Sequence, residues 1–250
     1  MTIERLVSDG IGEVVIDRPP VNALDVKSWF ELAATLRGLG DDPAVTAVVL
    51  RAEGEGFCAG VDIKELQADP DAIVGVNRGC YEAFAAVYEC AVPVIAAVQG
   101  FCLGGGIGLA GNADIVIASD DATFGLPEVD RGALGAATHL ARLVPQHRMR
   151  AMVYTGATAT AAELHAYGSV LSVIPRAQLR DAAMNIAREI AAKSPTIIRR
   201  AKESLNGIDP VDVNKSYRFE QGFTYELNLS GVSDEARQAF IDKRDARFEK

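Results

Sequence analysis

The chain has 250 residues, 49% of them hydrophobic and 24% charged, which is enough apolar material to bury the core of one full domain and excludes a disordered tail. Its formal net charge of -9 sets it against nucleic acid and anionic membrane surfaces, because a polyanion is repelled wherever no basic patch intervenes. A phosphate-bearing ligand therefore requires locally placed Lys, Arg or helix N-termini, and neither a nucleic-acid nor a membrane partner is expected.

In chain order, "IGEVVIDRP" from Ile11 alternates like a strand, and "VKSWFELAATLRGL" places Val26, Trp29, Phe30, Ala33 and Leu36 on one helical face. "AVTAVVLRAE", "VPVIAAVQG" and "ADIVIAS" are further buried-strand candidates, each followed by a Gly-rich or helical segment. The first two thirds thus reads as repeated strand-strand-helix units of an α/β fold. The stretch from Ala91 to Ala113 carries no charge and is long enough to span a bilayer. Pro93, Gln99, Asn112 and a glycine cluster nevertheless break it into a strand run and a Gly-opened helix. From about Pro175 the patterns are helical: "QLRDAAMNIAREIAAK", "PTIIRRAKESLNG" and "SDEARQAFIDKRDARF". Cys58, Cys80, Cys90 and Cys102 lack close-paired metal spacing and read as small core residues, and no signal-peptide pattern precedes "TIERLVSDG". A reducing cytoplasm is the expectation, with no metal centre.

"LGGGIGLAGNADI", residues 103–115, opens a helix with three consecutive glycines. "GIGLAG", Gly106 to Gly111, formally matches a dinucleotide fingerprint, but it stands several residues beyond the strand and Asp120 arrives too early for the ribose contact. A second reading is that the glycines let the helix pack tightly against a strand. A third is that they bare backbone donors at the positive end of a helix, where an oxygen gaining charge is stabilised, which is half of an oxyanion hole. The second donor is expected from "GFCAGVDIKE", residues 56–65, with Ala59-Gly60 turning so that the N–H of Val61 points inward.

Taken together, "RPPVNAL", "GEGFCAGVDIKEL", "PVIAAVQGFCLGGGIGLAGNADIVIA", "ATFGLPEVDRGALG", "AAELHAYGSV" and "SDEARQAFIDKRDARF" resemble, in order and spacing, the enoyl-CoA hydratase/isomerase, or crotonase, superfamily over nearly the whole chain. The resemblance implies a spiral of ββα units with a helical C-terminal region, divided as a core over 1–195 and an oligomerisation segment over 196–250, assembled as homotrimers or homohexamers. It implies a substrate carried as a coenzyme A thioester, with no prosthetic group, and two backbone N–H groups, on Val61 and Gly105, that hold the thioester oxygen as it becomes an enolate. Losing one such donor costs on the order of 3 kcal/mol in comparable sites. It further implies CoA contacts from Ala59, Asp62 and Ile63, and from Lys243 to phosphates, although "DKRDARFEK" equally reads as a solvated helix face.

The hydratases of the superfamily use two glutamates. The second falls here on Glu128, and the first falls on Gly108, which has no side chain. A missing general acid or base costs roughly 100-fold to 10,000-fold, so ordinary hydration is disfavoured. Asp130 offers a replacement carboxylate or, equally, a turn or helix cap; Arg131 pairs with one of the two acids or touches substrate. His139, His147 and His165 show no metal spacing and read as surface or satisfied helix residues. Deleting a glutamate at 108 is expected to open the pocket to a wider acyl group. "NRGCYEAFAAVYECAVPVIAAV", "FGLPEVDRGALGAATHLARLVPQH" and "YELNLSGVSDE" are similar to a branch of the superfamily in actinobacterial steroid catabolism. That likeness implies retro-Claisen hydrolysis of a carbon-carbon bond in a bicyclic indane-dione carboxyl-CoA. An enoyl-CoA hydratase, an isomerase working with Glu128 alone, and a noncatalytic CoA-ester scaffold are the alternatives.

Overall fold

A computed structural model describes residues 3–69 and 71–247. Strands β1 (Ile3–Ser8) and β2 (Ile11–Ile16) form a hairpin over Asp9-Gly10, both in the left-handed region that a two-residue turn of this twist demands. The chain continues through β3 (Ala23–Leu24), α1 (Val26–Asp41), β4 (Ala47–Ala52), β5 (Gly60–Val61), α2 (Ile63–Ala68) and α3 (Ala72–Tyr88). Next come β6 (Val94–Val98), β7 (Phe101–Leu103), α4 (Gly105–Asn112), β8 (Ile115–Ser119), β9 (Thr123–Gly125) and a 3-10 turn over Pro127–Arg131. After α5 (Ala137–Leu140), α6 (Gln146–Thr155), β10 (Thr158–Thr160), α7 (Ala161–Tyr167) and β11 (Ser172–Ile174), the remainder is helical: α8 (Leu179–Ala191), α9 (Pro195–Gly207), α10 (Val213–Leu229) and α11 (Val232–Asp242).

The main sheet has six strands in the order β1-β2-β4-β6-β8-β11, parallel except for the hairpin. Its central strands are buried on both faces, which is why they read as near-continuous apolar runs. The period of two sorts their side chains. Val14, Ile16, Val48, Leu50, Val94 and Ala96 face the large core under α1 and α3. Ile11, Ala47, Val49, Ile95, Ala97 and Ile117 face the other way, onto Leu179, Ala183 and Ala187 of α8. The uncharged stretch 91–113 is thus β6, β7 and α4, and no helix among the described residues is long and apolar enough to cross a membrane. The four cysteines are buried and unbridged.

Two small sheets stand beside the large one and carry the site: β10-β9-β7, and the parallel pair β3-β5. The α1 face differs from the sequence reading, losing Phe30 and gaining Leu32 and Leu39. Trp29, Leu32, Ala33, Leu36 and Leu39 are buried, following the 3.6-residue period from Trp29, whereas Phe30, about 100° around the helix, is exposed. The boundary drawn at 195 falls where α9 begins, but α10 and α11 also close the ligand cavity. The helix read over 233–248 ends at Asp242; residue 248 lies outside the described residues, as do 1, 2, 70, 249 and 250 of the two expected segments.

Candidate active site

The two glycine-bearing turns meet backbone to backbone. Gly60 has φ +91°, and a Cβ there would lie 2.9 Å from Gly105 N and 3.2 Å from the Leu103 carbonyl, so only glycine allows both the turn and the approach. Asp62 N donates to Leu24 O at 3.0 Å across β3 and β5, and the alternation of a strand turns the preceding amide, Val61 N–H, away from β3. On that other side the chain at Cys58 pairs with Cys102, and Leu103 N donates to Cys58 O at 2.9 Å, which brings up the β7-α4 corner. Gly104, at φ 55° and ψ -116°, caps α4, and its N–H donates to Gly125 O at 3.1 Å. Gly105 is the first residue of α4, where the helix itself leaves N–H groups unpaired. Val61 and Gly105 line one cavity of about 440 Å³ together with Ala59, Asp62, Ile63 and Glu128.

Glu128 enters this cavity from the 3-10 turn that follows β9, a turn closed by Gly132 in the left-handed conformation. A Cβ on Gly104 would sit 2.5 Å from Glu128 Oε1, which places the carboxylate beside the cap of α4, one residue from Gly105. The residue as a whole is half-buried, but Oε2 is out of solvent and has no hydrogen-bond partner among the described residues. Burial pushes its pKa up to about 8; the charge of Arg131 opposes that shift and that of Glu220 adds to it. The second cavity carboxylate, Asp62, is committed to Arg18 and to Lys64 N at the start of α2.

The glycines of "GIGLAG" do not face a ligand. All of α4 is buried, and a Cβ at Gly106, Gly108 or Gly111 would overlap Cys58 O, the Phe84 ring or His139 O respectively. The packing agrees with the spacing in disfavouring the dinucleotide reading: the run divides into a cavity-facing start at Gly104 and Gly105 and a tightly packed remainder. The expectation of a widened pocket at Gly108 is corrected, because Phe84 fills that space. Its ring stands edge-on to Trp29 at 5.6 Å, with His139 at 5.0 Å and Tyr217 at 5.2 Å. His139 is a buried core residue rather than a surface one: Asn112 Oδ1 lies 3.1 Å from Nδ1, and burial holds its pKa down to about 3. His147 and His165 are exposed.

Two residues singled out from sequence are not brought to the cavity. Asp130 is exposed and its carboxylate packs against Gly156, because residues two apart on a 3-10 turn of three residues point to different sides. Lys243 is exposed, ends α11 at φ 53°, and does not line the cavity. Arg131, by contrast, lines the cavity but pairs with neither acid: it donates to Pro127 O at 2.9 Å and lies over the Phe240 ring at 4.4 Å. Residues that sequence reasoning missed include Arg18, Lys64, Asn77, Phe84 and Tyr217. For Asn77 a signal existed, since it interrupts an apolar helical stripe of Ile73, Val76, Cys80 and Phe84; for Tyr217, on α10, none did.

The chain is similar over most of its length to known proteins. It is 63% identical over 236 residues, covering 94% of this chain and 92% of the relative, to the (7aS)-7a-methyl-1,5-dioxo-2,3,5,6,7,7a-hexahydro-1H-indene-carboxyl-CoA hydrolase of Rhodococcus jostii (strain RHA1). It is 61% identical, covering 94% of this chain and 96% of the relative, to the protein of the same name from Mycobacterium tuberculosis (strain ATCC 25618 / H37Rv). Among solved structures, an enoyl-CoA hydratase/isomerase from Xanthobacter autotrophicus Py2 superposes with a TM-score of 0.87 at 27% identity, covering 100% of this chain and 99% of that one. With the enoyl-CoA hydratase/isomerase model matching residues 7–250, the chain belongs to that family and has its crotonase fold.

Proposed function

We propose that this chain is a hydrolase that opens a ring of a bicyclic, steroid-derived dione carried as a coenzyme A thioester, by retro-Claisen cleavage of a carbon-carbon bond. The observation that carries the reading is Glu128, whose Oε2 is out of solvent and unpaired among the described residues beside the start of α4, in a cavity whose other carboxylate is already tied. The two relatives above 60% identity that bear the hydrolase name support it.

In this reading ionised Glu128 takes a proton from water as the water oxygen bonds to a ring-ketone carbon. The adduct collapses to a carboxylic acid, and the bond from that carbon to its ring neighbour breaks. The released electron pair spreads through the conjugated system onto carbonyl oxygens, the thioester's included, where the N–H groups of Val61 and Gly105 receive the charge. The carbon then takes back the proton held by Glu128. One water is consumed and the thioester survives. Product analysis tests this: a ring-opened CoA ester heavier by one water is expected. Release of free CoA makes the protein a thioesterase, and a moved double bond without water uptake makes it an isomerase; either result overturns the reading.

For the carrier, we propose that the backbone at Ala59, Asp62 and Ile63 lies along the adenine end, and that Lys64 serves the phosphates in place of Lys243. Lys64 lines the cavity and is exposed with no ion pair among the described residues. Lys64→Glu is expected to raise KM for CoA esters with kcat little changed; an unchanged KM overturns this assignment. We propose also that the segment from 196 onward joins subunits into a homotrimer or homohexamer, since Ile197, Leu205, Phe219 and Leu229 are exposed large apolar residues on its helices. A monomer by light scattering overturns that proposal.

A further inference from the structure

Most polar side chains in the cavity wall are committed to the fold. Arg18 is held by Asp25 and Asp62, Arg237 by Asp234 and Asn228, and Thr224 Oγ1 donates to Leu134 O. Asn77 is different. The residue lines the cavity and is 6% exposed, yet its Nδ2 is buried with no hydrogen-bond partner among the described residues. Its backbone carbonyl, by contrast, is pinned by Gln221 Nε2 at 2.6 Å, so the contact between α3 and α10 at this position does not use the side chain. Ile73, Val76, Cys80 and Phe84 make the rest of the α3 stripe apolar. A buried amide with nothing to bond destabilises a protein, and a residue such as Leu would line an apolar chamber at less cost. The amide's polarity therefore has its use in the bound state.

We propose that Asn77 determines specificity for an oxygen in the acyl group remote from the thioester, its side-chain amide turning from its buried position to donate to a ring ketone. The cavity wall holds two side chains of opposite character, each with a buried atom unpartnered among the described residues: the acid Glu128 and the donor Asn77. An acyl chain without a second oxygen leaves the donor unpaired and is rejected, in the way sites built to bond a substrate atom reject analogues lacking it. The inference deepens the dione reading and rests on it for the identity of the oxygen. It defines the substrate class as cyclic keto-acyl esters and sets straight-chain enoyl esters aside.

The test compares two CoA thioesters of one bicyclic skeleton, one with the ring ketone and one with a methylene in its place. Their dissociation constants are measured by calorimetry in a Glu128→Gln background, where turnover is suppressed, with Asn77 and with Asn77→Leu or Asn77→Ser. A preference for the ketone of about 10- to 100-fold is expected with Asn77. Asn77→Leu should abolish it, with no loss of affinity for the methylene compound, and Asn77→Ser should retain part. The infrared carbonyl band of the isotope-labelled ketone should shift to lower frequency on binding when Asn77 is present, and should stay in place with the Asn77→Leu variant. Where Asn77→Leu does not fold, Asn77→Ser and the infrared band decide the matter. Equal affinity for the two ligands with Asn77 present, or a preference that survives both substitutions, overturns the proposal. Failure of the ring-opening reading is seen separately, as no water-added product from the unsubstituted protein with the ketone preference intact.

Discussion

The ring of Phe84 occupies the space that a side chain on Gly108 would need. A Cβ built there overlaps the ring's Cζ, Cε1 and Cε2, and the same ring is wedged edge-on against Trp29. Position 108 is therefore glycine for packing, and the acid missing from it leaves an aromatic wall instead of an opening. Gly108→Ala should destabilise the protein by about 1–3 kcal/mol through overpacking, and Gly108→Glu by more, without a gain of hydratase activity. Phe84→Ala alone should cost roughly 3–5 kcal/mol as a cavity, and the double change Phe84→Ala/Gly108→Ala less than the sum of the two. Urea denaturation of the four proteins reads the coupling; strict additivity sinks this account of the wall.

Glu128 makes two pH-dependent statements. Burial lifts it to about 8, so the fraction in the base form, and with it kcat/KM, should rise as pH passes through that region. Glu128→Gln should lose about 100-fold to 10,000-fold and flatten the profile. For stability the sign is opposite. Between the ordinary value of 4.5 and about 8 the folded protein keeps a proton that the unfolded chain releases. The contribution of this group to stability is thus complete below 4.5 and is lost as pH rises towards 8. The Tm advantage of Glu128→Gln should grow across that window, and a constant difference between the two proteins would count against a buried carboxyl here.

How far the sequence reveals the site follows from which contacts are local. β2, β4, β6 and β8 are legible because a strand covered on both faces has to be apolar throughout, and Val61, Gly105 and Glu128 are legible because short motifs hold each in its turn. α3 is less so: Gly75 and Gly79 lower its helical propensity off the apolar stripe, and Gly79 makes sense only against α1, where a Cβ would come within 2.8 Å of Trp29 Cβ. Asn77 and Phe84 share one face of α3, but the wall they make is completed by Tyr217 of α10, an element far away in the chain, so no local period joins Tyr217 to them. Gly108 misleads in the same manner, since the residue that fills its volume lies on another helix.

Asp130 is the counterpart that the geometry sets aside. Its carboxylate is exposed and turned to Gly156, outside the cavity that takes in Glu128. Asp130→Asn is expected to keep kcat/KM within about three-fold of the unsubstituted enzyme, far from the 100-fold or greater loss typical of a removed acid or base. A loss on that larger scale, with Tm unchanged, would return Asp130 to the reaction.

The proposed oxyanion site is made of main chain, so it is best probed through the glycine that lets the two turns approach. At Gly60 a Cβ would stand 2.9 Å from Gly105 N, and φ +91° is strained for any other residue. Gly60→Ala must therefore push apart the very two amides that are proposed to share one oxygen, while β5 keeps its pairing with β3 at Leu24. A displaced donor weakens the transition state more than the ground state, since the charge on the thioester oxygen appears only as the carbon-carbon bond breaks. The expected result is a fall in kcat of roughly 100-fold to 1,000-fold, with a much smaller change in the affinity for a non-reacting CoA ester. Binding and steady-state kinetics on the same preparation separate the two quantities. Equal losses in both would mean that the turns only hold the carrier, and kcat close to that of the unsubstituted protein would remove the charge-stabilising role from Val61 and Gly105.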